Sequence, residues 1–480
     1  MALPSLSSQP PTGSTGQLDG EGKPTLPRKQ RSGSNVFKRL ASDYGMVFAL
    51  LLLGAFFSWQ TWAPQQPVGT GAGEQVANLV RKSFPKGSRV LVAARGIPED
   101  HAFATAAERT LKANGYEIAE VVRGAPIDAR HALQRAIDGK QKVDVIAANS
   151  ASAGWVIFQN LGTKFPALGN VLVVSPTTYH WPNFLKTDNL LNIANQIAVI
   201  AIIAIGMTMV IITGGIDLSV GSLIALSAVV ATLFITKAAG AEAASAFGMT
   251  WCCLGGIAMC AALGFFSGVM ITLFSIPPFI VTLAMMLVGS GLAYLFSQGQ
   301  SIYQMPESFV WLGRGTAFAG IPNSVVLMLV LYLIAHIVMS NMSLGRYIYA
   351  VGGNREAARL SGVPVVAVLL IVYTLSGALA GLGGVVTASQ LKSGSPNYGQ
   401  MYELYVIAAV VVGGTSLAGG EGKIFGTLIG ALIIATIQNG MNLTGVESYT
   451  QKVVLGLVIL GAVLFDRLKH RGLFRFRRKA

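Results

Sequence analysis

The chain has 480 residues, of which 52% are hydrophobic and only 12% charged, with a mean hydropathy of +0.57. Soluble domains carry about a quarter charged residues, so this composition excludes a large water-soluble globule and implies a polytopic α-helical membrane protein. The net charge of +14 would suit a nucleic-acid partner, but its distribution excludes one. Basic residues gather beside apolar runs at the two ends (Arg28, Lys29, Arg31, Lys38, Arg39; Arg467, Lys469, Arg471, Arg475, Arg477, Arg478, Lys479), the positive-inside pattern that puts both termini in the cytoplasm.

Residues 1–43 read as a disordered basic tail, rich in Ser, Pro, Gly and Thr. The apolar stretch 44–62 has spanning length and no small-residue cleavage site after it, so it reads as the first transmembrane helix rather than a signal peptide. From 63 to 180 the composition turns soluble. Apolar strand patterns at 88–94, 116–122, 143–149 and 170–176 alternate with helical patterns at 101–115, 128–139 and 152–162. That alternation predicts a parallel sheet covered by helices, an inserted α/β domain in the first external loop. It contains no nucleotide motif, catalytic triad or metal-spaced histidine cluster, and His101 and His131 read as surface residues. It either docks a partner or receives solute, or is an inert insertion.

The stretch 189–237 organises the rest of the chain, because Asp217 is its only charge before Lys237. Two apolar runs flank a broken centre, Gly214-Gly215-Ile216-Asp217-Leu218-Ser219. Irregular backbone and a carboxylate at membrane depth are tolerated only inside protein or beside a water-lined path. Asp217 and Ser219 therefore either line a solute path or cap the next helix. Asn192, Asn195 and Gln196 share one helical face by their i, i+3, i+4 spacing. They either line a path or hydrogen-bond between helices.

A fourth span is predicted over 247–272. It holds all three cysteines, Cys252, Cys253 and Cys260, which argues against a disulfide framework or a metal site. Pro277-Pro278 can open a fifth helix but not continue one. A sixth span covers about 324–340, where His336 reads as a packing residue. The loop 341–362 carries Arg346, Arg355 and Arg359 and a short helix, REAARLSG, capped by Asn354. The seventh span covers about 363–388, and Gly394–Gly399 reads as an external turn. The eighth apolar run, 405–412, leads into Gly413-Gly414-Thr415-Ser416, an echo of the first elbow that suggests two related halves. Runs at 424–442 and 452–465 complete about ten spans within a membrane domain of 181–466, and 467–480 is a basic tail suited to anionic lipid.

GMTMVIITGGIDLSVGS resembles the signature of ribose-type sugar permeases, the membrane subunits of ATP-binding-cassette importers. PNFLKTDNLLNI and IPPFIVTL extend the likeness, which covers about residue 181 to the C-terminus. In those proteins the PNFL segment follows the first membrane helix almost directly, so the α/β unit departs from the pattern. That unit itself resembles one lobe of a periplasmic sugar-binding protein.

The resemblance implies an inner-membrane permease, working as a homodimer or heterodimer with cytoplasmic ABC ATPases and a periplasmic sugar-binding protein. It has no catalytic residue, cofactor or metal of its own. It further implies a substrate path touching Asn192, Asn195, Gln196, Gly214, Gly215, Asp217, Ser219, Pro277, Pro278, Gly413, Gly414 and Ser416. ATPase coupling would fall to Arg355, Glu356, Ala357, Ala358 and Gly362. Without a GxxxxGK[ST] motif, ATP hydrolysis belongs to another chain. An importer permease for a branched-chain amino acid or autoinducer, a channel or ion-coupled carrier, and a membrane sensor are the competing readings.

Overall fold

A computed structural model describes residues 34–317 and 320–470 of the chain. Helix α1 (Ser34–Gln60) begins ten residues ahead of the predicted span, while most of the basic residues of both tails lie outside the described residues. After it comes β1 (Trp62–Gln65), which pairs antiparallel with β6 (Tyr179–Pro182), Trp62 opposite Pro182 and Gln65 opposite Tyr179. The soluble region therefore leaves and rejoins the membrane helices through one two-stranded ribbon. The Gln65 amide pins that ribbon, donating to the Trp181 carbonyl at 3.0 Å and to Asn183 Oδ1 at 3.0 Å.

Between those strands lie α2 (Gly69–Ser83), β2 (Arg89–Ala94), α3 (Pro98–Ala113), β3 (Glu117–Arg123), α4 (Pro126–Asp138) and β4 (Val145–Ala148). The short helices α5 (Ser150–Ala153) and α6 (Leu161–Lys164) and the strand β5 (Leu172–Val174) complete the unit. Strand order is β3-β2-β4-β5, all parallel. Val90, Val92, Val145 and Ala147 face α2 and α3, whereas Leu91, Ala93, Ile146 and Ala148 face α4. Successive strand residues point to opposite faces, so a sheet covered on both sides needs continuous apolar strands, as here. Helix α2 had no reading in the sequence, and the predicted helix 152–162 is broken into short pieces.

The membrane helices are α7 (Thr187–Ile212), α8 (Val220–Ala238), α9 (Ala246–Leu273), α10 (Pro278–Ser297), α11 (Asn323–Asn341), α14 (Val365–Leu391) and α16 (Ile424–Leu443). Among the described residues these seven are long and apolar enough to cross a bilayer. Two surface helices, α12 (Ser343–Gly353) and α13 (Arg355–Leu360), join α11 to α14. Helix α15 (Tyr402–Val412) precedes α16, and α17 (Ser448–His470) ends the described chain. With the apolar part of α1, α15 and α17, the apolar helices among the described residues number ten.

Helix α7 is the axis of the bundle. Its most apolar window is 89% buried, against 28% for α10. Helices α11, α14, α15 and α16 pack around it. The α14–α9 crossing is close because Gly264, Gly377 and Gly381 face backbone across it; a Cβ at Gly377 would overlap the Cys260 carbonyl. In lipid, van der Waals contact between small residues replaces the hydrophobic drive that holds soluble helices together.

Two expectations fail here. Helix α15 has 11 residues, about 16 Å at 1.5 Å per residue, and cannot cross a core of about 30 Å alone. Nor is Gly394–Gly399 an external turn. Ser393, Gly394, Ser395, Pro396 and Gly399 are buried, and the segment runs along α8 from Ala228 and Thr232 down to Gly221 and Ile224. The chain re-enters the bundle before α15 begins. Apolar patterning marked the helix but could not show where in the bilayer it starts.

Candidate functional site

The two elbows open with the same backbone. After α7, the Gly214 N–H donates to the Ile211 carbonyl and the Gly215 N–H to the Val210 carbonyl; after α15, Gly414 donates to Val411 and Thr415 to Val410. Both are Schellman caps, with Gly214 at φ 80° and Gly414 at φ 82°, a left-handed conformation that glycine adopts without penalty.

They close differently. In the first elbow Asp217 Oδ1 accepts from the Ser219 N–H at 3.0 Å and from its hydroxyl at 2.6 Å, while Oδ2 accepts from Ser376 at 2.7 Å. Asp217 is buried, with no basic partner among these contacts. Ser376 lies near the middle of α14 and also packs against Gly206 of α7. The elbow therefore folds back into the bundle, and α8 starts at mid-depth rather than at the surface. Asp217 both closes the turn ahead of that start, through the Ser219 N–H and hydroxyl, and clamps it to α14. The second elbow closes mainly on backbone: Ser416 N–H donates to the Glu421 carbonyl at 3.0 Å, with Gly419 and Gly420 at positive φ, and Ser416 Oγ accepts only a long bond of 3.3 Å from the Ala418 N–H.

The elbows meet each other. The Gly420 N–H donates to the Ile212 carbonyl at 2.9 Å, and Gly419 packs on Gly214. Gly352 of α12 seats against the same Ile212 carbonyl, where a Cβ would overlap it, and Tyr349 Oη donates to the Gly422 carbonyl at 2.7 Å. From α10, Thr282 Oγ1 donates to the Ile216 carbonyl at 3.0 Å, so the helix that Pro277 and Pro278 start is tied to the first elbow. Gly413 faces the Gly426 carbonyl across the α15–α16 crossing.

The surface helices attach directly to this junction. Asn354 Oδ1 accepts from the Ala357 N–H at 2.9 Å and caps α13; Gly362, at φ 82°, ends it. Arg355, Glu356 and Ala357 are exposed, and Ala358 is buried. Glu356 pairs with Arg359 at 3.0 Å, and Leu360 is 80% exposed. Gly352, two residues ahead of the Asn354 cap, stands against Ile212 of the first elbow and Gly420 of the second.

The polar face of α7 lies at the opposite end. Asn192 and Gln196 are exposed, whereas Asn195 accepts from the Ser324 hydroxyl and from Gln390 Nε2. Asn195 is thus an interhelix tie among α7, α11 and α14, and this group does not meet the elbows. Sequence reasoning missed Gly352, Ser376 and Tyr373, whose ring stands against Gly215. Gly352-Gly353 was a usable signal, being a further double glycine beside 214–215 and 413–414.

Residues 189–463 match the family model described as branched-chain amino acid transport system / permease component. The chain belongs to that permease family. It is therefore a multi-pass transport component and not an enzyme. It is 45% identical over 292 residues to the ribose import permease protein of Escherichia coli (strain K12), covering 60% of this chain and 88% of that one. The ribose import permease protein of Bacillus subtilis (strain 168) is 44% identical over 316 residues, 65% of this chain and 94% of that protein. The D-allose transport system permease protein of E. coli (strain K12) is 39% identical over 285 residues, with 59% and 85% covered. The family match begins after the α/β region. No solved structure matches the chain.

Proposed function

We propose that this permease imports a monosaccharide across a bacterial inner membrane, powered by a separate cytoplasmic ATPase and supplied by an extracytoplasmic sugar-binding protein. The single observation that carries the reading is the junction of two elbows seated on an exposed helix pair, in a chain so similar to ribose and allose permeases. A rigid surface helix fixed to two broken membrane segments is a lever for alternating access. The elbow end, with Arg346, Arg355 and Arg359, is the cytoplasmic one by the positive-inside rule, as are both termini. Arg355, Glu356, Ala357, Ala358 and Gly362 form the ATPase contact.

The path for solute is bounded by Asn192 and Gln196 at the outer end and by the elbow residues Gly214, Gly215, Asp217, Ser219, Gly413, Gly414 and Ser416 below. Asn195 and the Pro277-Pro278 break support its walls. Residues 63–180 form an external unit through which solute is received or a binding protein docked. Two permease chains line one path.

The test is reconstitution of the chain with its ATPase and binding protein in vesicles, measuring ATP-dependent uptake of D-ribose. Glu356→Arg breaks the Glu356–Arg359 pair and reverses the lever's surface charge, and is expected to cut uptake at least about tenfold while the chain still inserts. Unchanged uptake by that variant would remove α13 from coupling. Concentrative uptake without any ATPase would overturn the whole reading.

A further inference from the structure

A crevice of about 350 Å³ lies between α8, α10 and the buried chain that leads into α15. Ser222, Ser290, Tyr294, Gln400 and Glu403 are among the polar groups that line it. Asn397 joins them at the edge: Tyr294 Oη donates to Asn397 Oδ1 at 2.6 Å, and Gln400 Nε2 reaches the same oxygen at 3.3 Å. Glu403 stands against Gly221, so close that a Cβ there would overlap its carboxylate. Gly221 follows Asp217 by four residues, and Asp217 is bonded to the middle of α14, so the crevice is at mid-membrane depth. No cation or hydroxyl partners the Glu403 carboxylate among the described residues, and Asn397 and Gln400 are exposed.

A half-exposed carboxylate with amides beside it cannot face lipid without a penalty of several kcal/mol. Non-helical backbone at this depth is tolerated only where it is covered by protein or lines a wet cavity. The open side therefore borders water. The volume falls within the range of about 300–1,000 Å³ usual for small-molecule sites. Set among Ala225, Met286, Leu287, Pro396 and Met401, its polar groups are hydroxyls, amides and one carboxylate, a set that accepts and donates to a polyol and would repel an anion.

We propose that this crevice is the intramembrane station for a neutral polyhydroxylated solute, with Glu403 accepting from two of its hydroxyls and Asn397 and Gln400 donating or accepting at its flank. The station deepens the import reading and rests on it. It also displaces the centre of the path from the buried Asp217 to the chain ahead of α15.

The experiment uses the full chain assembled with its ATPase and binding protein in vesicles, with D-ribose as probe. If the parent chain does not take up D-ribose, the import reading itself fails and the station with it. If the parent does, Glu403→Gln, which loses a charge-assisted acceptor, is expected to raise the uptake KM about tenfold or more. Ser290→Leu, which fills the crevice, is expected to abolish uptake although the ATPase still co-purifies. A KM within about twofold of the parent for both variants overturns the station while leaving import intact. Asn397→Cys supplies a readout independent of turnover: a water-soluble maleimide should label it, and D-ribose should slow the labelling. No labelling, or labelling that a saturating concentration of D-ribose does not slow, overturns the station too.

Discussion

The first and second elbows start from the same backbone turn and diverge in how they finish. Gly214 and Gly414 occupy equivalent left-handed positions, but the first loop is closed by a carboxylate and the second by main chain, two further glycines and one long bond to a serine hydroxyl. The turn needs only a residue without a Cβ, so its geometry recurs. What differs is the neighbour each loop must hold: the first is fastened by Asp217 to α14, the second rests on Ile212 and on Gly352. Each also keeps a buried hydroxyl without a partner among the described residues, Tyr373 Oη beside the first and Thr415 Oγ1 in the second.

The comparison is broken most severely at the place where both elbows meet. Gly352→Ala puts a methyl group into the Ile212 carbonyl, and uptake is expected to fall at least about a hundredfold, with loss of thermal stability in detergent, as for an overpacked core. Gly353→Ala, with open space at its Cβ, is the control; equal behaviour of the two would mean the seat is not rigid.

Next in size is the difference in closure. Asp217→Ala strands two buried serine hydroxyls and an N–H, a loss of about 2–4 kcal/mol, whereas Ser416→Ala leaves the backbone closure in place and is expected to change stability by less than about 1 kcal/mol. Thermal unfolding of the two variants, alongside uptake, checks the ranking. Similar losses from both would show that the second elbow also depends on its side chain. Normal uptake by Asp217→Ala would leave that residue only its capping role.

A smaller effect is expected at Tyr373→Phe. Removing a hydroxyl that has no partner should change stability by no more than about 0.5 kcal/mol, or increase it. A drop larger than that would mean the hydroxyl is paired in the resting protein.

The smallest effect on the membrane bundle is expected from excision of residues 66–178, with Asn-Gly joining Gln65 to Tyr179. Those residues are already register partners in the β1–β6 ribbon, and Asn-Gly favours the two-residue hairpin turn. The shortened chain should insert and co-purify with the ATPase, and its aggregation would show that the soluble unit is part of the bundle's core. Its D-ribose uptake then separates a receiving or docking role from an inert one.

Several features of the molecule were legible in the residues alone. Run lengths gave the membrane helices, because the bilayer sets a minimum apolar length. Alternating strands and helices gave the parallel sheet, and the double glycines marked both elbows. Local chemistry fixes such features: a cap, a turn or an apolar run depends on near neighbours in sequence. Depth and partnership do not. Asp217 had two open readings, and only the position of Ser376, 159 residues away, made it a clamp. The segment 394–399 had turn composition at either depth, and only its packing along α8 put it inside the bundle. Glu403 escapes a reading by pattern because it stands two residues ahead of the apolar run that begins at Tyr405. Long-range packing decides which face is dry and which meets water, and that is what turns a polar residue into a tie, a lever or a site.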